Sequence, residues 1–105
     1  MSDIVNEQWW LGDPEPGVLV WARLRVDEDG RAEVFDATGL RLHFDDEDFA
    51  RSHLLDHGYR AYDGLDDDDA AGMGFDLAEV GPPAAEDEEE LVTLMTQKLG
   101  AWTRN

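Results

Sequence analysis

The stretch from Gly17 to Phe44 constrains the fold more than any other, because it holds the longest apolar run and two turn signals in sequence. Each turn signal ends in glycine, Asp29-Gly30 in the first and Thr38-Gly39 in the second. Glycine supplies the positive φ that tight hairpin turns require. The stretch therefore predicts a three-stranded antiparallel meander, with strands at residues 18–26, 31–36 and 40–44.

Side-chain alternation assigns the two faces of the first strand, because successive side chains of a strand point to opposite sides of the sheet. One face is wholly apolar and consists of Val18, Val20, Ala22, Leu24 and Val26. The other carries Leu19, Trp21, Arg23 and Arg25. We expect the first face to be the core and the arginines to lie on an outer face, so Val20→Asp should unfold the chain and Trp21→Asp should be milder.

Helix signals follow the meander. Asp45 or Asp46 is placed to cap a helix that Gly58 ends, and acidic residues crowd its first turn, where the helix dipole favours negative charge. Residues 59–62 indicate a short strand at a sheet edge, and a second helical piece begins after Leu65. Residues 86–99 form an amphipathic pattern that predicts a C-terminal helix, which would either dock on the sheet or pack against a partner.

These elements predict an α+β fold, a small antiparallel sheet of the meander plus a short edge strand, covered on one face by two to three helices. We divide the chain into an N-terminal arm (1–16), a compact core (17–80) and a proline-led acidic helix (81–105). Prolines and glycines at residues 12–17 oppose regular structure in the arm. Its Trp9 and Trp10 are expected either to pack on the sheet or to anchor a partner.

Length and cysteine content limit the class of protein. The chain has 105 residues, enough for one domain with a modest core, and it has no cysteine for a disulfide, a thiolate nucleophile or a cysteine zinc site. The N-terminus lacks the features of a signal peptide, and the longest apolar run is too short to span a bilayer. We therefore expect a cytoplasmic protein with no membrane association.

The net charge of −18 is the most unusual global property. Residues 1–44 carry nine acids and four arginines, whereas residues 45–105 carry seventeen acids and four bases. Such a field repels nucleic acid and anionic membranes and attracts basic proteins. A high-salt cytoplasm or a GC-rich genome would also produce this composition, since the chain has one lysine and seven arginines.

Catalytic and metal motifs are weak. His53 and His57 have the spacing of a zinc-binding helix pair, and His43 could supply a third ligand, but Leu54 stands where the zincin motif needs glutamate. Calcium-loop spacing from Asp66 fails because Ala70 and Ala71 stand where the loop needs an oxygen ligand and a glycine. Neither serine lies in a nucleophile motif. We expect no enzyme activity, no cofactor and no metal.

The functional hypothesis is a non-catalytic acidic protein that engages a basic protein surface, as an inhibitor, an immunity protein or a nucleic-acid mimic would. Helical acids can approach the linear charge density of DNA, since a helix rises about 1.5 Å per residue and B-DNA carries about one charge per 1.7 Å. The partner would be a basic protein, such as one that binds nucleic acid. The candidate acids are Asp45, Asp46, Glu47 and Asp48, then Asp66, Asp67, Asp68 and Asp69, and finally Glu86, Asp87, Glu88, Glu89 and Glu90.

A second hypothesis is a housekeeping accessory or adaptor domain that binds through apolar anchors, with acidity serving only solubility or salt adaptation. Its anchors would be Trp9, Trp10 and Trp102. Trp9 and Trp10 are candidate partner-binding residues under both hypotheses. The oligomeric state, monomer or dimer, stays open at this point.

Overall fold

The computed structural model describes residues 4–15, 17–77 and 80–98 and has the expected α+β class. The strands are β1 (Ile4–Glu15), β2 (Val18–Asp27), β3 (Ala32–Asp36), β4 (Arg41–Phe44), β5 (Arg60–Ala61) and β6 (Thr96–Lys98). The helices are α1 (Glu47–Asp56), α2 (Asp67–Met73) and α3 (Glu88–Leu94), and a 3-10 turn spans Tyr62–Gly64. The sheet is larger than expected, with strand order β4-β3-β2-β1-β5 and with β6 also paired to β2.

The meander of β2, β3 and β4 is confirmed, and the same local chemistry closes both of its turns. Asp27 Oδ1 accepts the backbone N–H of Arg31 at 3.0 Å, and Asp36 Oδ1 accepts that of Leu40 at 3.2 Å. The glycine in each turn has a positive φ, +88° in the first and +84° in the second. Two aspartates therefore serve as turn formers rather than as surface charges.

The N-terminal segment differs from the sequence expectation, because residues 4–15 form the longest strand of the sheet rather than an irregular arm. This strand, β1, runs antiparallel to β2 along nearly its whole length, with Trp10 opposite Ala22 and Leu11 opposite Trp21. Pro14 is tolerated because the register shifts between Gly12 and Glu15, and prolines are accepted at such irregular positions.

Both faces of the sheet are covered. The first core contains Leu11, Leu19, Trp21, Phe35, Ala70, Phe75, Leu91 and Met95. The second core contains Trp10, Ala22, Leu24, Val26, Ala32, Val34, Ala50 and Leu54. Helix α1 contributes to the second core, whereas α2 and α3 contribute to the first.

The expected outer face of β2 is therefore partly a core face. Leu19 and Trp21 have no exposed surface, whereas Val18 and Val20 are only half-buried. A strand with both faces buried reads as a continuous apolar run, which is what the beginning of β2 shows. Alternation alone could not decide which apolar face was covered.

The expected helix starts are confirmed. Asp46 caps α1 by accepting the N–H of Phe49 at 2.9 Å, and Asp66 caps α2 in a reciprocal capping box with Asp69. Gly58 lies just past the end of α1 with a φ of +84°. The expected edge strand is β5, which pairs with β1 at the outer side of the sheet.

The C-terminal segment is helical only over α3 and then forms β6, where the sequence pattern had predicted a longer helix. Strand β3 pairs with β2 only from Ala22 onward, so the beginning of β2 would lack a partner on that side. Strand β6 fills this place opposite residues 18–20, and Trp21 N–H donates to Met95 O at 2.8 Å. Leu99 and Trp102 lie outside the described residues.

Candidate acidic interaction surface

A row of alternating charges crosses the sheet on the face that carries the first core. Glu7, Arg25, Glu33 and His43 lie directly opposite one another on the four strands β1 to β4. Arg25 Nε is 2.8 Å from Glu7 Oε1, and Glu33 Oε1 is 2.7 Å from Arg41 Nη1. The arginines of β2, Arg23 and Arg25, do share one face, as the alternation predicts, and Arg25 is paired with an acid of the same sheet.

The neighbouring row holds a buried arginine. Arg23 is 4% exposed, and its Nη2 donates to Glu88 Oε2 at 2.7 Å. Arg41 donates to the other oxygen of the same carboxylate. The guanidinium carbons of Arg23 and Arg41 lie 5.1 and 4.9 Å from the ring centroid of Phe35, within the range of cation–π contacts. Glu88 thus joins the first turn of α3 to the sheet.

The two arginines set the acidity of Glu88. Hydrogen bonds from Arg23 and, next, from Arg41 hold the pKa of the Glu88 carboxyl below its usual range, because both stabilise the charged form. The hydrogen bond to Glu88 in turn raises the pKa of Arg41. Glu88, a candidate partner-binding acid, is therefore engaged inside the molecule.

Glu88→Ala should destabilise the fold by about 1.5–3 kcal/mol at neutral pH, because it leaves the buried Arg23 guanidinium without its acceptor. A carboxyl whose pKa is lowered in the folded state stabilises above its unfolded pKa and loses this contribution as pH falls through the folded value. The difference in the free energy of unfolding between wild type and variant should therefore disappear in acid, well below pH 4.3, the ordinary glutamate pKa. Urea titrations at several pH values measure this gap.

Glu88→Gln is the matched control, since it keeps an acceptor for Arg23 and removes only the charge. Its free energy of unfolding at neutral pH should lie between those of wild type and Glu88→Ala. A gap between wild type and Glu88→Ala that is zero at neutral pH would contradict the assigned role of Glu88.

The α1 acids divide into engaged and free carboxylates. Asp46 is the helix cap, and Glu47 accepts from Gln8 Nε2 at 2.7 Å and lies 3.4 Å from Arg51 Nη1. Asp45 and Asp48 are exposed and have no hydrogen bond or ion pair from their side chains within the described ranges. Only these last two are available to a partner without breaking an internal contact.

The α2 acids divide in the same way. Asp66 Oδ1 accepts the N–H of Asp69 at 2.8 Å, and Asp69 also lies 4.0 Å from Arg60 Nη1. Asp67 and Asp68 are exposed, and neither side chain has a partner in the part of the chain that the structure describes. Asp13, at the end of β1, lines the same shallow cleft as Asp68 and Asp69 and enlarges this acidic surface.

The α3 acids complete the set. Asp87 caps the helix by accepting the N–H of Glu90 at 2.8 Å. Glu86, Glu89 and Glu90 are exposed, and their carboxylates make no hydrogen bond or ion pair with any described residue. The exposed carboxylates without internal partners, here called the free acids, are Asp45, Asp48, Asp67, Asp68, Glu86, Glu89 and Glu90.

The two candidate tryptophan anchors lie on opposite faces of β1. Trp10 is 1% exposed in the second core, where its Nε1 donates to Gln8 Oε1 at 3.3 Å and Arg51 lies over its ring. Trp9 is half-buried against the first core, with its ring edge-on to Trp21 at 6.0 Å between centroids. A partner cannot reach the Trp10 ring in this fold, so packing accounts for Trp10.

The histidine pair on α1 stacks instead of converging on one point. The His53 and His57 rings lie 4.2 Å apart with an interplanar angle of 35°, and Phe44 lies 5.2 Å from His53. Within the described residues, no three histidine, aspartate or glutamate side chains are grouped as metal ligands. The absence of catalysis remains a prediction.

No helix in the described ranges has both the length and the apolar character required to cross a membrane.

Comparisons with known proteins add no family to this description. No family model matches the chain, and no curated protein or solved structure matches it.

Proposed function

We propose that this chain is a non-catalytic binding protein whose acidic surface engages a basic surface of another protein, in the manner of an inhibitor, an immunity protein or a nucleic-acid mimic. The free acids are the observation that carries this proposal. They lie at or just before the first turns of three different helices, and all are exposed. Their charge is unbalanced by any internal contact in the described structure.

The distribution of cations supports the same proposal. Arg23, Arg25, Arg41, Arg51 and Arg60 each have an ion pair with a carboxylate of the same chain. These arginines are consequently poor counterions for the free acids. An exposed surplus of one charge attracts oppositely charged partners over about a Debye length, roughly 10 Å at 0.1 M salt, and speeds their encounter.

The double variant Asp67→Asn/Asp68→Asn tests the proposal, since neither carboxylate has a partner among the described residues. We expect it to slow association with the partner by about tenfold at low salt and to leave the dissociation rate nearly unchanged, because long-range charge acts mainly on encounter. Stability should change by no more than about 1–2 kcal/mol through the lost helix-dipole interactions. The partner is first isolated from the native host at two ionic strengths, and stopped-flow kinetics then measure both rates.

The control for this experiment is Phe49→Ala, which keeps the charge and removes an apolar side chain that is 63% exposed on α1. If the aspartate variant associates at the wild-type rate at low salt while Phe49→Ala abolishes binding, the proposal that the acids speed association is wrong. The adaptor hypothesis would then take its place.

The adaptor hypothesis has a changed set of anchors. Trp10 is buried and Trp102 lies outside the described residues, but Phe49 and Leu55 of α1 are 63% and 60% exposed. Isolated exposed apolar residues are common in monomeric proteins. We therefore keep this function second.

A further inference from the structure

The outer edge of β1 is open over its first half. Strand β5 pairs only with Trp10 and Leu11, and Tyr62, which follows it, lies beside Trp9, so residues 4–8 have a strand partner on one side alone within the described structure. Ile4 and Val5 are 49% and 62% exposed, and Asn6 and Glu7 are exposed as well. An unpaired strand edge presents backbone donors and acceptors on which another strand can form.

The pairing pattern shows which backbone groups point outward. Trp21 N–H donates to Met95 O, so the backbone of Trp21 points away from β1. Trp21 and its partner Leu11 therefore form a pair that exchanges no hydrogen bonds. In such a pair the N–H and C=O groups of both residues point away from the other strand, so those of Leu11 point away from β2. Backbone direction alternates along a strand, so the N–H and C=O groups of Glu7 and Trp9 also point away from β2. Trp9 lies beside Tyr62, and the backbone groups of Glu7 point to the open side.

The usable edge is short. The register of β1 against β2 shifts between Ile4 and Asn6, which leaves residues 6–8 as the regular open segment. This segment contains no proline and no lysine, the residues that most often block edge pairing. A strand added here would be only a few residues long.

Carboxylates flank this edge on both faces of the sheet. Glu7 lies on the face of the charged row, paired with Arg25 at 2.8 Å. On the opposite face, Gln8 Nε2 contacts Glu47 at 2.7 Å, and the free acid Asp48 follows Glu47 on α1. The side chains of an added strand would meet the free acid Asp48 on the α1 face, whereas Glu7 on the other face is already paired with Arg25.

We propose that a basic partner docks by adding an extended lysine- or arginine-rich segment to the β1 edge at residues 6–8, as in other cases of strand addition. This inference rests on the proposed function and specifies its docking mode. Backbone hydrogen bonds to Glu7 supply the pairing, and the free acid Asp48 on α1 selects for positive side chains. A second copy of this chain is a poorer occupant, because it would bring another net −18.

Two labelled peptides of lysine and valine, about ten residues long, separate strand pairing from charge attraction. One has ordinary backbone amides, and the other has the same sequence with every backbone amide methylated, which removes its backbone donors and keeps its side chains and charge. We expect the ordinary peptide to bind the wild-type chain at least about tenfold more tightly by fluorescence anisotropy, since several backbone hydrogen bonds are at stake.

Glu7→Pro tests the same edge from the protein side. Proline at this position removes an N–H that points outward and leaves the hydrogen bonds to β2 intact. The variant should therefore fold and have a melting temperature close to that of Glu7→Ala. Glu7→Ala is the matched control for the loss of the Arg25 ion pair. We expect Glu7→Pro to bind the ordinary peptide about tenfold more weakly than Glu7→Ala does. The affinity for the methylated peptide should be the same in both variants.

The outcomes separate the docking mode from the proposed function. Equal affinity of the wild-type chain for both peptides would overturn strand addition and leave charge-driven binding intact. Failure of both peptides to bind at low salt would count against the docking mode and the acidic function together. A wild-type dimer in sedimentation that Glu7→Pro dissociates would make a second copy the occupant and overturn the proposed one.

Discussion

Trp21→Asp is expected to abolish folding, whereas Val20→Asp should leave a folded chain. Trp21 has no exposed surface and packs against Trp9 and Tyr62, with ring centroids 6.0 and 5.2 Å away. Loss of a buried aromatic side chain costs about 3–5 kcal/mol, and an unpaired buried carboxylate adds several more. This sum is comparable to the whole free energy of unfolding of a typical domain, roughly 5–15 kcal/mol. Near-UV circular dichroism and amide NMR dispersion measure the outcome.

Two variants control this experiment. Val20 is half-buried beside Gly12 and Tyr59 at the end of the sheet, so a carboxylate there can reach water. Trp21→Phe keeps most of the aromatic surface and removes an indole N–H that has no hydrogen-bond partner in the described structure, so it should be the mildest of the three. A well-dispersed spectrum for Trp21→Asp, with Val20→Asp unfolded, would mean that the first core is misassigned.

Removal of residues 84–105 should leave a molten or insoluble chain, although the sequence pattern placed this segment outside the compact core of residues 17–80. The deletion strips Leu91 and Met95 from the first core, where they are 5% and 0% exposed. Each loss is comparable to a large-to-small core substitution of about 2–5 kcal/mol. The deletion also removes the pairing of β6 with the start of β2 and exposes Leu19 and Trp21. Thermal melts and dye binding to exposed apolar surface report the result.

A pair of adjacent substitutions tests the same packing without a deletion. Met95→Asp introduces a carboxylate at a side chain that is fully buried, whereas Leu94→Asp changes one that is 40% exposed. We expect the first to unfold the chain and the second to change stability by about 1 kcal/mol or less. Similar melting curves for both would show that the segment after α3 does not seal the first core.

Local chemistry made the helix starts and the meander predictable. An aspartate before a helix and a glycine in a tight turn act within a few residues, so the sequence alone specifies them. Asp46, Asp66 and the glycines of both β-turns lie where the pattern placed them. The α+β class follows from these elements.

Non-local pairing was not predictable in the same way. Strand β1 was hidden by its prolines and glycines, and β6 by an apolar spacing that also suits a helix. Strand β6 pairs with a part of β2 that is distant in sequence, whereas β1 is adjacent to β2 in the chain and was concealed by its composition alone. The coverage of both sheet faces likewise depends on where α2 and α3 dock, which alternation within β2 does not reveal.

The candidate site was predicted as clusters of acids, and the sequence could not divide those clusters by role. Asp46, Asp66 and Asp87 resemble their neighbours in the sequence, yet each is a helix cap. Glu88 is distinguished only by the distant arginines Arg23 and Arg41 that contact it. Asp13 joins the α2 surface because of the tertiary fold and carries no local signal.

The assignment of successive β1 and β2 residues to opposite cores also limits how this sequence can change length. Deleting one residue of β1 after Trp10 would shift the pairing parity of the residues before it and carry Trp10 toward the charged rows and Glu7 toward Leu24. Paired deletions of two residues would preserve the parity. Among related sequences, we would therefore expect gaps of even length within this hairpin and single-residue gaps mainly in the loops outside it.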